Sequence, residues 1–115
     1  MPTISQSVLD NLLFLKKISK TKSPKNRKKY LNLATTAELL SIIECAYNIL
    51  KGRFRLTSRQ RNRLAPQIEV VRRIGRARSP RGLRSILQRG GGLSVIPALL
   101  TPIIFEAIRS LSSNN

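Results

Sequence analysis

The stretch Thr35-Thr36-Ala37-Glu38-Leu39-Leu40-Ser41-Ile42-Ile43-Glu44-Cys45-Ala46-Tyr47-Asn48-Ile49-Leu50-Lys51-Gly52 decides the fold class. It opens with a capping box: the Thr35 hydroxyl can accept from the third helical N–H, and Glu38 can reach back to the Thr35 N–H. Behind it Leu39, Leu40, Ile42, Ile43, Ala46, Tyr47, Ile49 and Leu50 recur with helical period on a wide face. Gly52 supplies the residue that ends such a helix. The spacing predicts a helix over 36–51 that anchors whatever core the chain builds.

Downstream, Thr57-Ser58-Arg59-Gln60 repeats the capping box, with Leu56 before it as a hydrophobic staple. Pro66 has no N–H to donate, so the helix is expected to kink or restart there. Leu64, Ile68, Val71 and Ile74 carry one stripe across that point, toward the helix at 36–51. Ser79-Pro80 is a third start, a cap followed by proline at the first helical position. That helix runs through Leu83, Ile86 and Leu87 toward Gly90-Gly91-Gly92. Upstream, Ile4, Val8, Leu12, Leu15 and Ile18 form a stripe for an N-terminal helix capped by Ser5 or Ser7. No strand-like alternation competes.

The expected fold is all-α, a small bundle of three to four short helices. Residues 1–34 hold the N-terminal helix and a disordered basic linker, 35–89 an Arg-rich helical domain, and 90–115 a glycine hinge with an apolar tail. Leu93 to Phe105 is apolar but contains Pro97 and Pro102, and a spanning helix needs about twenty residues, so no transmembrane helix is expected. Lys16 and Lys17 follow the first apolar stretch, the reverse of a secretory signal.

Charge narrows the function. The 115 residues hold 22 Lys or Arg against 5 Asp or Glu, a net charge of +17, with no His and one Cys. Residues for acid–base or metal chemistry are nearly lacking, so a non-enzymatic protein without metal or cofactor is expected. Cys45, among Ile42, Ile43 and Ala46, reads as a buried structural thiol. Self-repulsion of this size favours an anionic partner.

The cations fall in two groups. Lys16, Lys17, Lys20, Lys22, Lys25, Arg27, Lys28 and Lys29 are seven Lys and one Arg without an acid between them. Arg53, Arg55, Arg59, Arg61, Arg63, Arg72, Arg73, Arg76, Arg78, Arg81, Arg84 and Arg89 contain no Lys, and Glu69 is the single acid in their span. Guanidinium forks hold phosphate oxygens in pairs, whereas ammonium groups act as mobile point charges. All twenty are candidate DNA phosphate-binding residues. Seventeen charges match about seventeen phosphates, or eight to nine base pairs. Phe14, Tyr30, Tyr47, Phe54 and Phe105 are not interleaved with the charge, and no zinc spacing or basic zipper is present. Non-specific duplex DNA is therefore the expected partner. Structured RNA is a polyanion that composition does not separate from it. The alternative is an acidic membrane, or a capsid interior, met through residues 93–111, unless that apolar segment packs back on the helices.

Ser23-Pro24-Lys25 and Ser79-Pro80-Arg81 share a Ser-Pro-basic pattern, where phosphorylation would subtract about 1.5 to 2 charges each. Further on, Gln88-Arg89-Gly90-Gly91-Gly92-Leu93 joins the Arg-rich region to the Leu/Ile/Pro tail. That layout resembles adenovirus core protein X, the precursor of the DNA-condensing mu peptide. Glu44-Cys45-Ala46-Tyr47-Asn48-Ile49-Leu50-Lys51-Gly52 followed by Leu56-Thr57-Ser58-Arg59-Gln60 resembles small basic proteins of Polinton (Maverick) elements and adintoviruses. The resemblance covers about residues 44–105. It implies a late virion core protein that condenses double-stranded DNA in a capsid assembled in the host nucleus. It also implies cleavage at Gly90-Gly91 by an adenovirus-type protease, although Gln88 stands where that protease prefers an aliphatic residue.

Overall fold

Every start signal from Thr35 onward opens a helix. The computed structural model describes residues 5–54, 56–89 and 92–113, with backbone alone at 88, 89, 92, 93, 112 and 113. These form α1 (Gln6–Asp10), α2 (Leu12–Lys20), α3 (Pro24–Leu33), α4 (Thr36–Leu50), α5 (Ser58–Leu64), a 3₁₀ turn (Ala65–Gln67), α6 (Ile68–Arg76), α7 (Pro80–Arg89) and α8 (Gly92–Ser113). No strand occurs among the described residues. The all-α expectation holds, but three to four helices are too few. The radius of gyration, 13.1 Å, matches the roughly 13 Å of a compact domain of this length.

In α4 both halves of the capping box form: Glu38 N–H donates to Thr35 Oγ1 at 3.1 Å, and Thr35 N–H donates to Glu38 Oε1 at 2.8 Å. Gly52 takes φ +68°, and the N–H groups of Gly52 and Arg53 donate to the carbonyls of Ile49 and Asn48, each at 3.0 Å. This double bond pattern is a Schellman motif, which satisfies carbonyls that the helix end leaves open. The buried face holds Leu39, Ile42, Cys45 and Ala46 together with Ser41 and Asn48, while Leu40 and Tyr47 turn outward. The core stripe is thus rotated from the expected wide apolar face. Ser41 is satisfied locally by donating to Glu38 O at 2.6 Å. Asn48 Oδ1 accepts from Arg53 Nη1 at 2.9 Å.

The second capping box also forms, at Thr57 and Gln60. Pro66 sits in the 3₁₀ turn, so the chain restarts as α6, which packs extensively on α4. Leu64, Val71 and Ile74 are buried as expected; Ile68 is only half-buried. Gly75 marks the closest approach of the two helices. A Cβ there would lie 2.7 Å from Leu50 Cδ1, 3.5 Å from Tyr47 N and 3.6 Å from Ala46 C. Ser79 caps α7 by accepting from Gly82 N–H at 3.1 Å.

Two expectations are corrected. The basic segment 16–29 lies in α2 and α3, joined by the short connection 21–23, rather than in a disordered linker. Ser23 accepts from Asn26 N–H at 3.3 Å and Pro24 begins α3, the same start chemistry as Ser79-Pro80. Leu31 is buried, and Arg27 Nε donates to Thr21 O at 2.6 Å. The N-terminal stripe is also broken at Asn11, which separates α1 from α2, and Ser5 is the residue that caps α1; Ile4 lies outside the described residues.

The apolar segment packs back into the molecule. Helix α8 continues through Pro97 and Pro102 and packs on α2 and on every helix from α3 to α7. Val95, Ile96, Leu99, Leu100 and Ile103 are fully buried. The Thr101 hydroxyl donates to Pro97 O at 2.6 Å. Ser94–Leu111 is long and apolar enough to cross a membrane by length and composition, contrary to the thirteen-residue reading, and half of it is buried in this fold.

Candidate nucleic-acid interface

The helices place the cations outside because their apolar stripes point in. Of the Lys and Arg whose side chains are described, all are exposed except Lys16, Arg27 and Arg84, which are half-buried. Lys16, Lys17 and Lys20 sit on α2, and Lys25, Arg27, Lys28 and Lys29 on α3, with Lys22 between them. Arg53 follows α4. Arg59, Arg61 and Arg63 ride on α5, Arg72, Arg73 and Arg76 on α6, and Arg81 and Arg84 on α7, with Arg78 just ahead of it. Arg55, the Arg89 side chain, Gly90 and Gly91 lie outside the described residues.

Few of these charges are neutralised within the chain. Glu69 pairs with Arg72 one turn along α6. Arg84 points partly inward, with Nη2 donating to Ala34 O at 3.2 Å, and so ties α7 to the α3–α4 junction. Aromatic rings take part in a way the linear spacing hid. Lys17 Nζ lies 4.1 Å from the centroid of Tyr30, and Lys51 Nζ and the Arg53 guanidinium each lie 5.5 Å from that of Tyr47. Those contacts hold extended side chains over ring faces and pre-order their charged ends. Tyr30, Tyr47 and Lys51 were not among the expected site residues. The signal available for Lys51 was its place just before the helix-ending Gly52.

One concave feature gathers several of these residues. A groove of about 730 Å³ opens between the C-terminal end of α4, α5 and α6. Its floor includes Leu50, Leu56, Leu64, Ala65 and Ile68, and its rim carries Lys51, Arg61, Arg72 and Arg76. No acid lines it among the described residues.

Cys45 lies in the core, where burial first and the Glu44 charge second push its thiol well above the ordinary range. It is held as the neutral thiol. Among the described residues no group of three or more His, Cys, Asp or Glu could hold a metal ion. Comparison with protein-family models, curated proteins and solved structures finds no match for this chain.

Proposed function

We propose that this protein binds and condenses double-stranded DNA without sequence preference and without enzymatic chemistry. The observation carrying this reading is a compact helical body whose cations lie almost entirely on its surface, with only five acids to oppose 22 Lys and Arg. The longest dimension is 40 Å. Duplex along that length carries about 24 phosphate charges, so +17 offsets roughly seven-tenths of them. Cations on α2 and α3 as well as on α5, α6 and α7 provide more than one set of phosphate contacts, which suits bridging of neighbouring duplexes. The setting in a virion core and host nucleus rests on the resemblance over residues 44–105.

Fluorescence anisotropy with short duplexes of random sequence tests this. Affinity should fall steeply with salt, with a log–log slope of about −0.9 per phosphate contact. Light scattering should rise as protein charge approaches phosphate charge. A salt-independent affinity, or strong preference for one duplex, sinks the reading; tighter binding to structured RNA at equal phosphate redirects it to RNA packaging.

The membrane or capsid-interior alternative draws on Phe105, Ile108 and Leu111, exposed on α8 at 60%, 39% and 50%. Removing the tail does not test it, because α8 is core. Phe105→Ser with Leu111→Ser keeps the buried face. Vesicle leakage that vanishes in this variant, while DNA affinity stays unchanged, favours the alternative.

A further inference from the structure

We infer that the groove between α4, α5 and α6 binds an acidic amphipathic helix of a partner protein. A duplex is a convex, uniformly charged rod and does not fill an apolar floor. The exposed Ala65 and the accessible parts of half-buried Leu50, Leu56 and Ile68 therefore stay uncovered when phosphates meet the rim. The volume, about 730 Å³, falls within the roughly 300–1,000 Å³ typical of ligand sites, enough for the apolar anchors of one helix face.

The walls dictate the form of the occupant. Most of the lining comes from α4, α5 and α6, whose interior backbone groups pair within each helix, and no strand edge occurs among the described residues to receive an extended peptide. An extended chain would lay unpaired N–H and C=O groups over apolar side chains. A helix arrives with its own backbone satisfied. The rim dictates the charge. Lys51 comes from the end of α4, Arg61 from α5 and Arg76 from α6, with Arg72, already paired to Glu69, one turn before Arg76. Charges spread over three elements suit carboxylates spaced along a helix, whereas a single lipid headgroup needs them at one mouth. A second copy of this chain, at +17, is repelled.

This inference does not rest on the DNA reading and is tested without DNA. The probe is a synthetic labelled helix with Leu at i, i+3, i+4 and i+7 and Glu on the flanks, against a scrambled peptide of identical composition. The ordered peptide should bind at least about tenfold more tightly. Ala65 is exposed on the floor. Ala65→Asp should therefore weaken the ordered peptide about tenfold, while Ser85→Asp, an equal charge change on α7, shifts it less than about twofold. Random-duplex affinity should change less than about twofold in both. A photo-crosslinker on the Leu face of the peptide should label residues 49–76 of the unaltered protein and leave α8 unlabelled, a readout independent of any variant. Equal binding of ordered and scrambled peptides overturns the inference, as does crosslinking confined to α8. Phosphatidylserine vesicles that protect 49–76 from crosslinking when the peptide shows no order preference would assign the groove to lipid instead, and overturn it too.

Discussion

Arg72 and Arg73 are neighbours in sequence but differ in what they can offer a phosphate. Arg72 shares its charge with Glu69, so Arg72→Glu would set two acids one turn apart and disturb α6 for reasons unrelated to DNA. Arg63 and Arg73 are both exposed and outside the groove. Arg63→Gln with Arg73→Gln lowers the net charge from +17 to +15, sets no second acid beside Glu69, and should leave the circular dichroism spectrum unchanged. Duplex affinity should fall severalfold at about 0.15 M salt, with a slope smaller by about 1.8 if both contact phosphates. Unchanged affinity would remove α5 and α6 from the interface. Cys45 offers a second test at this scale. Its folded thiol titrates above its unfolded value, so only the unfolded chain ionises as pH rises past about 8.5. Stability should be flat below that pH and fall above it, by at most about 1.4 kcal/mol per pH unit, in denaturant melts. Cys45→Ala should abolish the alkaline loss, whatever it costs in packing.

At the scale of elements, the pairing of α4 with α6 depends on a missing side chain. Gly75→Ala asks only that the far end of Leu50 move, and alanine favours helix over glycine by about 1 kcal/mol, so little net change is expected. Gly75→Val adds branches against the α4 backbone and should cost about 1–3 kcal/mol, read as a lower melting temperature. Equal stability of the two variants would mean that α6 is not seated on α4 as described. Gly52 is used for a different property. Its φ of +68° strains any residue with a Cβ, although nothing lies within 4 Å of where one would sit. Gly52→Ala should therefore destabilise by about 1–2 kcal/mol through backbone strain alone.

For the whole molecule, α8 changes what a truncation means. Because α8 packs on helices from both halves of the chain, deletion of residues 92–115 should abolish the cooperative thermal transition rather than release a tail. A deleted chain that still melts cooperatively would show that 5–89 form a core by themselves. Charge sets the second prediction at this scale. Without histidine, the net charge of +17 scarcely changes across neutral pH, so duplex affinity should vary less than about twofold between pH 5.5 and 7. The same affinity should fall by orders of magnitude over a fourfold rise in salt.

Helix starts were legible in the sequence because a capping residue works within one turn of itself. Thr35 with Glu38, Thr57 with Gln60, and Ser79 with Gly82 each specify a boundary from contacts three residues apart, and Pro80 adds a preset first helical position. Ser23-Pro24 carried the same message, but the lysines around it made the segment read as solvated linker. What the linear pattern lacks is a partner. Leu31 has a reason to be helical and buried only when other helices offer it a surface, and α8 tolerates two prolines because packing on its neighbours offsets the lost hydrogen bonds. The rotation of α4 that buries Asn48 and turns Tyr47 outward likewise depends on where α6 and α8 lie. Composition determined that the surface is cationic, since charges leave a core unless paired. Tertiary structure alone decided that Lys51, Arg61, Arg72 and Arg76 share one rim, because residues up to 25 positions apart meet only when α4, α5 and α6 close around a common floor.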